Sequence, residues 1–157
     1  MTDRMMDEHY MTEALAEAHR AAALGEVPVG AVVVCDGEIV ARAHNRRETD
    51  RMATAHAELL AIEQACRALG GWRLSRCTLY VTLEPCPMCA GAIVNARVGR
   101  VVFGAKDAKG GAMGSVLCMN AYPLNHKPTV EQGLCEKDCA DVLRCFFERK
   151  RGDQKSL

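Results

Sequence analysis

Two short stretches carry residue types suited to metal chemistry: His56-Ala57-Glu58 and Pro85-Cys86-Pro87-Met88-Cys89, with 26 residues between Glu58 and Pro85. Cys86 and Cys89 stand three apart, just after a proline and an apolar run. From the start of a helix, side chains at i and i+3 share one side, so both thiolates reach one ion. His56 supplies a third ligand, and Glu58 is left as a proton carrier. A zinc ion held by three protein ligands keeps a fourth position for water and lowers that water's pKa to about 7. One carboxylate beside it can take the water's proton and later protonate a leaving group.

Helix geometry constrains the layout. Residues two apart on a helix point about 200° apart. His56 and Glu58 therefore share a site only from the first turn of a helix whose N-terminus faces the ion. The cysteine motif is expected to do likewise, with Pro87 in the first turn, where the missing N–H costs nothing. Two positive helix ends then favour thiolate. A His-x-Glu followed by Pro-Cys-x-x-Cys is the known pattern of zinc nucleobase deaminases, in which the Glu is not a ligand. Two other readings stay open: a structural zinc with a fourth protein ligand such as Cys77 or His126, and a non-catalytic, zinc-stabilised RNA-binding module.

The elements that must position these residues follow from the pattern along the chain. Met11, Leu15, Ala18 and Ala22 mark one face of a helix from about Asp7 to Leu24, with Gly25 past its end. Val29 to Cys35 reads as a strand, Asp36-Gly37 as a two-residue hairpin turn, and Glu38 to His44 as the returning strand. Asn45 to Ala53 is a polar loop carrying Arg46, Arg47 and Arg51 directly before the histidine motif. A helix from Thr54, as N-cap, to Leu69 is expected to bury Leu59, Ile62, Cys66 and Leu69, with Gly70-Gly71 ending it. Cys77 to Leu83 reads as a buried strand delivering Glu84 and the cysteine pair. Pro87 to Asn95 reads as a helix rich in small residues, and Val98 to Gly104 as a strand completing a right-handed parallel crossover. Residues 105–127 look irregular, Pro128 to Glu131 reads as a short strand, and a last helix from Leu134 turns Cys139, Val142, Leu143 and Phe146 inward. The fold class is three-layer α/β/α around a central mixed five-stranded sheet.

Bulk properties bound the function. The 157 residues predict one domain, with 1–6 and 152–157 as flexible tails. A chain of this length buries roughly two-thirds of the surface it exposes when unfolded, so its core needs no disulfides. Twenty basic and twenty acidic residues cancel, which argues against indiscriminate polyanion binding. The balance is uneven along the chain: residues 1–28 carry two basic and six acidic groups, and the tail from Arg144 five basic and two acidic. Nine cysteines without a signal peptide point to a reducing cytoplasm. The seven outside the motif are expected mostly in the core. No run approaches the roughly 18 apolar residues of a membrane span.

At this level of detail the chain resembles the bacterial tRNA adenosine deaminases of the cytidine deaminase-like superfamily, from about Met11 to Arg151. Beyond the two metal motifs, the resemblance rests on Glu26-Val27-Pro28-Val29-Gly30-Ala31, Asn45 after His44, Met88 to Ala92, Asp107-Ala108-Lys109, Asn125-His126 and Phe146-Phe147. It implies hydrolysis of adenosine to inosine at the anticodon wobble position of tRNA, by a homodimer with one catalytic Zn2+ per subunit. His56, Cys86 and Cys89 are then the metal ligands and Glu58 the catalytic acid–base. Asn45 is implied as the base-binding residue, with backbone groups at Ala57 and around Glu84 orienting the amine and the attacking water. Asp107, Lys109, Asn125, His126 and Phe147 are implied to cradle the anticodon stem-loop. Two departures stand out: Glu148 where many relatives place arginine, and Ala53 where proline often precedes the motif. A free-base or nucleoside deaminase of guanine or cytosine type is the nearest alternative.

Overall fold

The computed structural model describes residues 2–155, and of Gln154 and Lys155 the backbone alone. The elements in chain order are α1 (Asp3–Ala23), β1 (Gly30–Cys35), β2 (Glu38–His44), the single turn α2 (Arg47–Asp50), α3 (Ala57–Leu69), β3 (Cys77–Leu83), α4 (Pro87–Asn95), β4 (Arg100–Ala105), β5 (Thr129–Gln132) and α5 (Glu136–Lys155). One five-stranded sheet has the order β2-β1-β3-β4-β5. β1 pairs antiparallel with β2 and β3, whereas β3–β4 and β4–β5 are parallel. The expected three layers are present, because alternate residues of the central strands feed two separate cores. Ala31, Val33, Leu79, Val81, Val101 and Phe103 face α3 and α4, while Val32, Val34, Tyr80 and Val102 face α1 and α5.

Local chemistry explains the joints. Asp36 and Gly37 both have positive φ, 51° and 80°, as a type I′ hairpin turn requires. A Cβ on Gly30 would overlap the Ala14 carbonyl oxygen, so glycine lets α1 lie directly on β1.

Several expected boundaries move. Residues 3–6, expected in a tail, are the first turn of α1, because Thr2 caps it by accepting from the Met5 N–H. At the other end α5 runs through 152–155, while residues 156–157 lie outside the described residues. The N-cap of α3 is His56, not Thr54. Its buried face is Ala57, Glu58, Ala61, Ile62 and Ala65, rotated from the expected stripe, and Leu69 is exposed. Small alanines, not leucines, bring α3 close to the sheet. Among the seven other cysteines, Cys35, Cys77 and Cys139 are buried, while Cys118 and Cys145 are exposed.

An ion network ties the start of α1 to the far edge of the sheet. Arg100 donates to both Asp7 carboxylate oxygens, at 2.9 and 2.7 Å, and to Glu131 at 2.6 Å; the Tyr80 hydroxyl donates to Asp7 at 2.5 Å. The Arg100 guanidinium holds the Asp7 carboxyl below its ordinary value, against the opposing effect of burial. A folded pKa below the unfolded one contributes stability that is present above about pH 4 and lost as pH falls through the lower folded value. Asp7→Asn is therefore expected to cost about 1.5–3 kcal/mol at pH 7. In denaturant melts its gap from wild type should shrink below about pH 4. A gap independent of pH would remove the ion pair as its cause.

Candidate active site

The two motifs meet as helix geometry requires. His56 is the N-cap of α3, with extended backbone at φ −80° and ψ 147°, and Cys86 is the N-cap of α4 at φ −75° and ψ 173°. Pro87 opens α4, where its missing N–H leaves nothing unsatisfied. β3 ends at Leu83 and delivers Cys86 within three residues, while the 45–56 segment brings His56 from β2. Two helix N-termini, each from a helix of nine or more residues, thus converge on one point and favour negative charge there.

His56 Nδ1 lies 3.7 Å from Cys86 Sγ and 3.5 Å from Cys89 Sγ, and all three donor atoms fall within 4.8 Å of one another. Zinc–sulfur and zinc–nitrogen bonds of about 2.3 and 2.0 Å at tetrahedral angles put donor atoms roughly 3.5–3.8 Å apart. The residues present fit one such ion. Among the described residues this is the one cluster of three or more metal-ligating side chains, and no fourth side chain joins it. The two alternative ligands are placed elsewhere. Cys77 pairs with Cys35 across β1 and β3, and His126 Nε2 bonds the Val98 carbonyl at 2.6 Å. A structural four-ligand site is thereby disfavoured.

Electrostatics within the cluster follow from proximity. The Cys89 thiol, and then His56, hold the Cys86 thiol down to about 3 against burial. Cys89 is pushed up by its hydrogen bond with Cys86, by burial and by Glu58. Cys86 likewise raises His56, which burial and Arg47 oppose. Glu58, in the first turn of α3, is 4% exposed. Burial pushes its carboxyl up to about 7, and it touches the Cys89 thiol without belonging to the donor triangle.

Other expected site residues have structural partners. Asn45 is buried; its amide donates to the Val27 carbonyl at 3.2 Å and its Oδ1 accepts from the Arg47 N–H at 3.3 Å. Ala57 is wholly buried as the first residue of α3. The Glu84 N–H donates to the Ala105 carbonyl, so that donor is engaged within the fold. Its side chain has a role that sequence reasoning missed. The carboxylate is 2% exposed and accepts from the N–H groups of Asp107, Met113 and Ser115 and from the Ser115 hydroxyl. Burial raises its pKa, but these donors outweigh it and hold the group ionised below the usual range. Asp107 accepts from the N–H groups of Lys109 and Gly110, closing the loop. Lys109, Asn125 and Phe147 are exposed, and Phe146 is buried as the helical pattern predicts.

Glu84 therefore organises the glycine-containing loop that follows β4. A Cβ on Gly111 would overlap its carboxylate. G111A is expected to destabilise the protein by about 1–3 kcal/mol through overpacking. Removing the carboxylate should relieve that clash, so G111A added to Glu84→Ala should cost markedly less than in wild type. Additive losses in a double-mutant denaturation cycle would show that Gly111 is needed for another reason.

Comparison with known proteins agrees with this geometry. The MafB19-like deaminase family matches residues 5–151. The tRNA-specific adenosine deaminase of Bacillus subtilis (strain 168) is 54% identical over 151 residues, covering 96% of this chain and 94% of that protein. A solved structure from work on A-to-I editing by tRNA:A34 deaminases superposes with a TM-score of 0.84 at 48% identity, covering 86% of this chain and 99% of the other. The guanine deaminase of Nitrosomonas europaea superposes at 0.75 with 28% identity, covering 88% and 83%. With its donor triangle and separate carboxylate built on this fold, and more than half its residues shared with one such enzyme over nearly the full length of both, the chain belongs to the tRNA-specific adenosine deaminase family.

Proposed function

We propose that this chain hydrolyses adenosine to inosine at the wobble position of a tRNA anticodon. The observation that carries the reading is Glu58: a buried carboxyl beside, but outside, the His56–Cys86–Cys89 triangle. Among known relatives, the higher identity to a tRNA-specific adenosine deaminase than to a guanine deaminase supports tRNA over a free base. Zn2+, one per subunit, is the metal whose bond lengths suit two sulfurs and one imidazole nitrogen at these separations. When bound there, it activates water as a nucleophile at neutral pH.

This chain's own residues do the rest. Glu58 accepts the proton of the water that attacks C6 and delivers it to N1 of the purine. It then takes the proton of the new C6 hydroxyl and passes it to the departing nitrogen as the C6–N6 bond breaks and the C6 carbonyl forms, so that one water enters and one ammonia leaves. A carboxyl poised near 7 can serve in both directions. Asn45 is proposed to meet the base, and backbone groups at Ala57 and around Glu84 to orient the amine and the attacking water. Lys109, Asn125 and Phe147, exposed in the structure, together with Asp107 and His126, are proposed to line the cradle of the anticodon stem-loop. Such RNA is read through single-stranded, unstacked bases. The chain is proposed to act as a cytoplasmic homodimer of single-domain subunits. No helix among the described residues is long and apolar enough to cross a membrane.

The test is to incubate the purified protein with tRNA transcripts and sequence the product for inosine, alongside ammonia release from free guanine, cytosine and their nucleosides. Inosine at the wobble position is the expected result. Ammonia from a free base with inert tRNA would overturn the reading in favour of a small-molecule deaminase.

A further inference from the structure

Between β2 and α3 the chain forms a strap, residues 45–51, whose fixing looks too elaborate for a connecting loop. Its base is the side chain of Glu26, 1% exposed, which accepts from the Glu48 N–H at 3.1 Å and from both the N–H and the hydroxyl of Thr49 at 2.6 Å. Burial raises the Glu26 carboxyl, but these bonds outweigh it and hold the group ionised. Asn45 adds the bonds to Val27 and Arg47 already described, and the Arg46 N–H donates to the Ala55 carbonyl at 2.9 Å, one residue from His56. The strap is thus tied on one side to the segment after α1 and on the other to the metal-binding motif. It closes with Arg51 in the left-handed region, φ 54°, its N–H bonded to the Arg47 carbonyl.

What this framework presents is charge. Arg46 is paired with Asp50 at 3.1 Å. Arg47 and Arg51 are exposed and, among the described residues, neither guanidinium pairs with a carboxylate. Exposed loops are ordinarily more mobile than the elements they connect, and binding residues are often carried on loops held by a rigid scaffold. Fixing the backbone that carries two free guanidinium groups next to a site that handles a nucleotide suits binding of a phosphodiester, since guanidinium groups meet phosphate oxygens in a fork geometry. Phosphate contacts of this kind set the register of a nucleic acid without reading its sequence.

We propose that the 45–51 strap is a phosphate clamp: Arg47 and Arg51 hold the RNA backbone flanking the reacting nucleotide, and Glu26 is the positioning residue that fixes the strap. The proposal rests on the tRNA deaminase reading and assigns that site a backbone-binding element. Glu26 acts through the strap and touches no substrate.

The experiment is a salt titration of binding between the zinc-loaded protein and a tRNA anticodon stem-loop, with KM and kcat measured for deamination. Each phosphate neutralised on single-stranded RNA releases counterions and contributes about 0.7 to the slope of log affinity against log salt. R47Q/R51Q should therefore flatten the slope by about 1.4 with melting temperature and zinc content retained. E26Q should flatten it too and raise KM more than it lowers kcat. Added to R47Q/R51Q, it should flatten the slope no further. A wild-type slope in R47Q/R51Q overturns the clamp, and because both substitutions are on the surface this arm does not depend on E26Q folding. A lowered melting temperature with full slope in E26Q would make Glu26 merely structural. Failure of the tRNA reading itself looks different: the wild-type protein would neither bind nor deaminate the stem-loop.

Discussion

Glu58→Gln is expected to lower turnover by about 10²–10⁴-fold, towards the upper end because one group carries the proton both into and out of the reaction. Glutamine has nearly the same shape, so a side chain that is 4% exposed keeps its packing in α3. Its amide cannot accept the water's proton. Since Glu58 lies outside the donor triangle, metal content should stay at that of wild type, and so should affinity for the stem-loop. Glu58→Asp shortens the arm but keeps a titratable oxygen, and should retain intermediate activity. Single-turnover rates with bound tRNA, measured alongside metal analysis, check both variants. A fully active Glu58→Gln protein would falsify the proton-carrier role, whereas loss of metal would recast Glu58 as a support for the ligands.

That prediction draws on the part of the molecule most legible in the sequence. His56, Glu58, Cys86 and Cys89 lie within short motifs, and the two-apart spacing of His56 and Glu58 admits one helical arrangement, which the N-cap positions of His56 and Cys86 realise. The hairpin at Asp36-Gly37 and the apolar runs that become β1 and β3 are equally local signals. What stayed hidden depends on contacts across the chain. Glu84 and Ser115 are 31 residues apart, so nothing near Glu84 announces that its carboxylate gathers the loop after β4. Glu26 and Thr49 are 23 apart, and their bond is what turns part of the expected loop into α2. The buried stripe of α3 lies off the one periodicity marks, because periodicity weights leucine over alanine while close packing on the sheet selects Ala57, Ala61 and Ala65. Asn45 and His126 are polar side chains whose type suits either a ligand or a backbone carbonyl, and here both bond to carbonyls.

Cys86→Ser is expected to remove metal binding and activity together, and to expose how far the fold leans on the ion. The Cys89 thiol and His56 together hold the Cys86 thiol well below its usual range. A serine hydroxyl stays protonated at neutral pH and is a hard, weak donor to zinc, so two ligands remain where three were needed. Bound metal should fall from about one equivalent per subunit to near none. A ligand that binds only the folded state stabilises it by about 2.7 kcal/mol at a hundredfold excess over its dissociation constant. The wild-type melting temperature should therefore rise with added zinc and fall on chelation, while the variant's should respond to neither. Cys66→Ser is the control: Cys66 lies on α3 in partial exposure, outside the donor triangle, and should keep metal, activity and the response to zinc. Zinc content unchanged in Cys86→Ser would take Cys86 out of the ligand set and leave the two helix N-termini converging on His56 and Cys89 alone.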